Sequence, residues 1–248
     1  MADLRWMASD LHLHTVASAC AEPEMTPPAI VRRARALSLE LIAVTDHHSV
    51  ENTQAVMQAA SGTGITVLPG MEVQTREEVH VLCLFPGMDP ALAWQAWIWE
   101  HLPDLSNRED FFGPQRVVDS NGTLLRTNPK LLQTSVSLSF EQVIERAESF
   151  GGLAVPAHVD RPRYSLFGNL GMVPEGVCLA GAEISRHLSA TEAQTRFPQL
   201  KGMGLIQSGD AHRLTEMIHN TRLLLREPSL EEIRLALLGK DGRAVHVP

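Results

Sequence analysis

Histidines and carboxylates recur along this chain in short clusters, nearly all of them directly behind a short apolar run. Asp10-Leu11-His12-Leu13-His14 follows the first run, Thr45-Asp46-His47-His48 the second, and Glu72 stands just past Leu68-Pro69-Gly70. His80 lies inside its own run, while Pro156-Ala157-His158 and Ser208-Gly209-Asp210-Ala211-His212 again come after theirs. Between the runs lie helix-patterned segments, and that alternation predicts βα units around a largely parallel sheet. In a parallel α/β barrel the strand ends converge on one rim, where sites are built from strand termini and the loops behind them. Residues as far apart as His12 and His212 then become neighbours.

The spacing predicts a strand over 6–14. Thr26 followed by Pro27 marks a helix start, with Ile30, Val31, Ala34 and Leu37 on one face. Strands are expected at 41–45 and 65–68, with a helix over about 50–60 that stops at Gly62 and Gly64. A strand at 79–85 and a helix between Pro90 and His101 come next. From about Asn107 to Thr134 the period lapses. There Asn121-Gly122, between Arg116-Val117-Val118 and Thr123-Leu124-Leu125, reads as a hairpin within an insertion or lid. Regularity resumes with a helix capped near Ser139 and strands at 153–156, 182–185, 205–207 and 221–225. A helix from Ser229 to Leu238 ends at Gly239, and the expectation is a single domain over 1–248.

Composition narrows the function. With 44% hydrophobic residues, 248 positions can bury a full core. The net charge of −8 lacks the basic excess of a nonspecific nucleic-acid or membrane binder, so neither long nucleic acid nor a membrane is expected as partner. Three scattered cysteines, Cys20, Cys83 and Cys178, argue against a disulfide framework and for a reducing compartment. No basic-then-apolar leader precedes Asp10, and no apolar run approaches the roughly 20 residues that span a bilayer. A cytoplasmic protein is the expectation.

His12-x-His14 on a strand has a direct use: period-two alternation turns both imidazoles to one side of the ribbon, making half a metal site. Asp210-x-His212 repeats the spacing, and Glu72 is the natural bridging carboxylate because its two oxygens can each bind a different ion. Histidine with carboxylate suits zinc, manganese or iron better than magnesium or calcium. A lone His-x-His, His80 or His158 is more often structural; their joint occurrence at successive strand ends is what points to metal.

The motifs Asp-Leu-His-Leu-His-Thr, Ala-Val-Thr-Asp-His, Pro-Gly-Met-Glu, Val-His-Val-Leu, Pro-Ala-His and Ser-Gly-Asp-Ala-His occur in an order that resembles the PHP (polymerase and histidinol phosphatase) superfamily. The resemblance implies a distorted (β/α)7 TIM-like barrel, with the hairpin-containing insertion added to it. It also implies that His12, His14, Glu72 and Asp210 hold a first metal and Glu72, His80 and His158 a second. His47 and His212 would hold a third. The remaining third-metal position, commonly His or Asp in the family, is here Cys20, which either completes that site as a soft ligand or leaves it weak. The cofactor expected is thus two or three divalent ions.

Grouped divalent ions suit phosphoester hydrolysis: they would supply a hydroxide for attack on phosphorus, with Glu72, Asp210 and His212 expected at the reacting centre. Arg161 and Arg163 are candidate phosphate clamps, with Arg186 and His187 weaker ones. Asp46 reads as an orienter of ligating imidazoles, and Thr15 and Ser18 as possible substrate contacts. His48, His101, His219 and His246 read as structural or surface residues. The expected substrate is a small phosphomonoester, a nucleotide or other metabolite, with phosphate as product or inhibitor. Alternatives are a short-oligonucleotide 5′ exonuclease, a histidinol-phosphate phosphatase, a protein tyrosine phosphatase, an amidohydrolase-type enzyme and a barrel that binds metal without turnover. The amidohydrolase expectation is weakened because no lysine, the usual carboxylated bridge, occurs between His14 and Lys130.

Overall fold

In a computed structural model of the chain, which describes residues 3–248, seven strands curl into an open half-barrel. The first half of the chain runs β1 (Arg5–Leu13), α1 (Pro27–Ala36), β2 (Leu41–Val44), α2 (Thr53–Ala59), β3 (Thr66–Gln74), β4 (His80–Leu84), α3 (Met88–Glu100) and the short α4 (Glu109–Phe112). It continues with β5 (Arg116–Val118), β6 (Leu124–Thr127), α5 (Phe140–Ser149), β7 (Leu153–Pro156), β8 (Gly181–Glu183) and α6 (Ala190–Arg196). β9 (Gly204–Ile206), β10 (Thr221–Leu225), α7 (Leu230–Leu237) and β11 (Ala244–His246) complete it.

The sheet order is β11-β10-β1-β2-β3-β4-β7. β8 and β9 pair parallel to each other, one lying against β7 and the other against β11, and so round the curl into a distorted TIM-like barrel. The largely parallel sheet expected from the βα alternation is corrected here. Only β1 with β2 and β2 with β3 run parallel, while β3–β4, β4–β7, β1–β10 and β10–β11 are antiparallel. The connection 75–79 is far shorter than the dozen or so residues a crossover needs, so β3 must turn back into β4.

Period-two alternation decides what faces inward. Leu82 and Leu84 pack inside with Met7, Leu11, Leu41, Val155, Ile206 and Leu223, whereas Val81 and Cys83 face out with Trp94 of α3 and Phe140. His80 shares the parity of Leu82 and therefore points inward. Met71 and Val73 likewise face out, which turns Glu72 in. β3 extends well past its expected end at Leu68, so Glu72 is held in mid-strand and not behind it. On the other flank Ile42, Val44 and Val67 bury against α1 and α2.

Local signals behave as their chemistry dictates. Ser139 caps α5 in a capping box with Gln142, and Ser229 caps α7. Thr26 sits at the start of α1 without a side-chain cap bond, leaving Pro27 to set the first turn. The hairpin β5–β6 turns at Asn121-Gly122, where Gly122 takes φ +85°. It packs beside the chain that follows β1 and the start of α2: the Arg116 N–H donates to the Val16 carbonyl and the Val118 N–H to Asn52 Oδ1. Among the described residues no helix is long and apolar enough to cross a membrane.

Candidate metal centre

Three groups of donor atoms stand together at one end of the barrel: His12, His14, Glu72 and Asp210; Glu72, His80 and His158; and His14, His47 and His212. Each is delivered differently. The β1–β2 ladder shifts register between Asp10 and Leu13, an irregularity of the kind that re-aims side chains beside a site, and there His12 and His14 turn toward Glu72. His80 opens β4, antiparallel to β3, so its strand start reaches the rim where β1 and β2 end. His158 and Asp210 follow β7 and β9 in left-handed backbone, at φ +30° and +46°. Such strain in a non-glycine residue persists where the surroundings over-determine it.

Hydrogen bonds fix which nitrogen each imidazole offers. His12 Nδ1 lies 3.0 Å from Glu183 Oε2, which also accepts the His158 backbone N–H. His14 Nδ1 donates to Ser18 Oγ at 3.0 Å, and that hydroxyl donates on to Asp46 Oδ1 at 2.7 Å. Both rings are thereby left with bare Nε2 atoms, and these face each other at 3.2 Å. Two lone pairs so placed repel unless a positive ion lies between them. Asp210 Oδ1 is 3.2 Å from each of the two nitrogens and, like Glu72 Oε2, is buried without a hydrogen-bond donor. These orphaned acceptors and converging nitrogens fit a divalent cation. In the second group His80 Nε2 meets Gln74 Oε1 at 3.3 Å, leaving Nδ1 against Glu72 Oε1 at 2.7 Å.

Charge in the pocket follows the carboxylates. Burial opposes protonation of His14, yet the negative charge of the adjacent Asp210 and Glu72 carboxylates raises it to about 9, the same charge that would draw a divalent ion to this spot. His47 is also opposed by burial and is lifted to about 9 by Cys20, which bonds to it, and by Glu72. Burial drives His80 down to about 4 and His212 to about 3. Glu72 and Asp210 stay well below the usual carboxylate range despite burial, held there by His80 and His12 respectively.

The expected residues thus assemble, with differences in detail. In the third group the donor beside His47 and His212 is His14; Cys20 lies outside it, exposed on the cavity wall and within bonding reach of His47. Arg161 and Arg163 line the same cavity of about 450 Å3, and Arg161 Nη1 grips Asp210 Oδ2 at 2.5 Å. Arg186 and His187 are exposed and line no part of it. Thr15 and Ser18 are buried in bonds to Asp46 and do not face the cavity, which corrects their reading as substrate contacts. His48 is structural, as read: Nδ1 donates to the Leu132 carbonyl at 2.6 Å, and Nε2 accepts the Gln74 N–H at 3.0 Å. Of the stretch 107–134 only Gln133 lines the cavity.

Two carboxylates escaped the sequence. Glu183 is buried beneath His12, and a lone Glu on a short strand carries no spacing signal. Asp10, pushed up to about 7 by burial, accepts the backbone N–H groups of Gly209 and Ile218 and so ties the Asp210 loop to β1. Its place in the Asp-x-His-x-His run was the available clue.

Comparison with known proteins agrees with this geometry. Over 85 residues the chain is 36% identical to the 3′,5′-nucleoside bisphosphate phosphatase of Chromobacterium violaceum, covering 33% of this chain and 28% of that protein. Over 96 residues it is 32% identical to the 5′-3′ exoribonuclease Rnm of Salmonella typhimurium, 35% of this chain and 32% of that one. The lesion-specific endonuclease PfuEndoQ from Pyrococcus furiosus shares the fold, with a TM-score of 0.75 at 20% identity over 97% of this chain and 58% of that one. Each match takes in less than two thirds of the relative's own length. The sequence pattern of the PHP domain fits residues 10–159, from the Asp10 motif of β1 to just past His158. On that match and on the fold, the chain belongs to the PHP domain family.

Proposed function

We propose that this chain is a metal-dependent phosphoesterase that hydrolyses a phosphomonoester, a nucleotide or another small phosphorylated metabolite. The observation that carries the reading is the double membership of Glu72: one buried carboxylate, with two oxygens to offer, belongs to two adjoining donor groups. Divalent ions bound there, zinc, manganese or iron by the imidazole-rich donor set, supply Lewis-acid activation of water and neutralisation of phosphate charge. His12, His14, Glu72 and Asp210 would hold the first, Glu72, His80 and His158 the second, and His47 and His212 the third, with the Cys20 thiol beside His47 as its candidate further donor.

The protein's own groups supply orientation. Arg161 spends one guanidinium nitrogen on Asp210 and keeps others for a phosphate oxygen, so it aligns the substrate with the carboxylate. Arg163, on the same cavity wall, offers a second positive charge. His212 donates its Nδ1 proton to the Asp210 carbonyl, which fixes the ring so that Nε2 is the atom it would offer to the third ion. Phosphate is then the expected product and inhibitor. The free thiols and acidic balance fit a cytoplasmic enzyme acting on small substrates and not on long nucleic acid. Likeness to the phosphatase of Chromobacterium violaceum supports monoester chemistry. A 5′ exonuclease acting on short oligonucleotides is the second reading, favoured by a cavity that the insertion flanks through Gln133 alone.

A panel of sugar phosphates, nucleotides, histidinol phosphate and dinucleotides, run with metal analysis of the same sample, tests both. Monoester hydrolysis is expected, and His12→Ala should lower kcat/KM by more than about a hundredfold, because the lost ion stabilises several kcal/mol of transition-state charge. Activity confined to dinucleotides would move the assignment to the exonuclease. Activity on amides or lactones alone, or a fully active His12→Ala, would overturn it.

A further inference from the structure

We propose that Tyr164 is a stacking platform for the base of a nucleotide whose phosphoryl group sits at the donor cluster, which narrows the substrate class to nucleotides and rests on the phosphomonoesterase reading. Tyr164 is the only tyrosine of the chain, and it is held in left-handed backbone at φ +55°. A bulky residue adopts that region at a cost, so the surroundings must hold it there. They do. The Tyr164 carbonyl accepts the His80 N–H at 3.1 Å, and the adjoining Ser165 hydroxyl donates to the Arg161 carbonyl and accepts the Gly168 N–H. Asn169 then fastens the turn to the Glu77 carbonyl.

The ring this loop presents lies nearly parallel to the His80 imidazole, with centroids 5.0 Å apart and planes 24° apart. His80 is itself a donor of the second group, so the tyrosine stands one stacking step from the ion position. Yet Tyr164 remains 44% exposed on the wall of the cavity. Shielding His80 would need only an aliphatic side chain. A flat ring with one face on an imidazole offers its other face to a second flat group at ordinary stacking distance. The same loop carries Arg161 and Arg163, so the phosphate clamps and the ring are positioned as one piece. A phosphoryl group on Arg161 with a planar group beyond it is the outline of a nucleotide.

The single tyrosine makes the test direct. With carbon-13-labelled tyrosine the purified chain gives one ring spin system, and nucleoside monophosphates should shift it upfield in a saturable way while ribose 5-phosphate does not. In the metal-loaded enzyme, Tyr164→Ala should reduce the kcat/KM preference for nucleoside monophosphates over ribose 5-phosphate about tenfold, mainly through KM, and Tyr164→Phe should restore it. Equal losses on both substrates would reduce Tyr164 to a buttress of His80 and overturn the proposal, as would a ring signal indifferent to every nucleotide. A wild-type enzyme inactive on all phosphomonoesters would refute the underlying reading instead, and the ring signal would still decide the platform.

Discussion

Glu183 controls His12 from behind. One oxygen accepts from both the His12 ring and the His158 backbone, so Glu183→Gln can keep that geometry and remove only the charge. Metal affinity should fall about 10- to 100-fold, read by titration of metal content, with the fold intact by circular dichroism. Unchanged affinity would mean that the contact only packs the ring. The Ser18 hydroxyl does the same for His14 without a charge, and it accepts the His47 N–H as well, so one oxygen serves two of the donor residues. His12, His14 and His47 were legible because they stand at spaced positions behind apolar runs. Of their orienters Asp46 was legible from its place beside His47, whereas Glu183 and the part played by Ser18 were not, because a group reached across the fold leaves no period in the chain. Cys20 was reached by its position along the motif alone, and it lies beside His47, exposed on the cavity wall.

At the scale of elements, Gly209 joins β9 to the Asp210 turn in a space that admits no side chain. A Cβ there would lie 2.5 Å from the Glu216 carbonyl and 3.0 Å from Asp10 Oδ2. Gly209→Ala should therefore displace Asp210 and His212 together, costing about 1–3 kcal/mol of stability and part of the bound metal. Chemical denaturation with metal analysis checks both. Farther away, Arg243 grips Glu232 of α7 and holds the approach to β11 against that helix. That bond, first among several causes, keeps the Glu232 carboxyl below its ordinary 4.5. A depressed carboxyl stabilises above its unfolded value, so this contribution is full above about pH 4.5 and is lost as pH falls through the folded value. The acid limb of a stability–pH profile should lose this component in Arg243→Ala. Strands and capped helices were legible here because hydrophobic period and serine caps are local. Strand direction was not: the run 79–85 reads the same whether its neighbour is parallel or antiparallel, and only the shortness of 75–79 settles it. α6 went unread although its Ser189-x-x-Glu192 box was present.

For the whole molecule, the donor groups draw on β1, β3, β4 and the loops behind β2, β7 and β9, so ions bound there cross-link distant parts of the chain. Ions that bind the native state alone at a hundred times their Kd add about 2.7 kcal/mol. Chelation should then lower Tm by roughly 5–10 °C in a chain of this length. His12→Ala should show little response to chelator if the first group dominates, and an unchanged wild-type Tm would count against tight binding.

The mid-strand seat of Glu72 reaches further than its charge. Its backbone is tied to Thr45 and Asp46 on one edge, and its strand pairs with β4 on the other, residue against residue from Gly70 to Gln74. Adding or removing a single residue in β3 would rotate the carboxylate to the outer face and deliver Met71 or Val73 to the rim. Substitutions that keep the length of β3 leave the site its carboxylate, whereas the reading frame of that strand is closed to change.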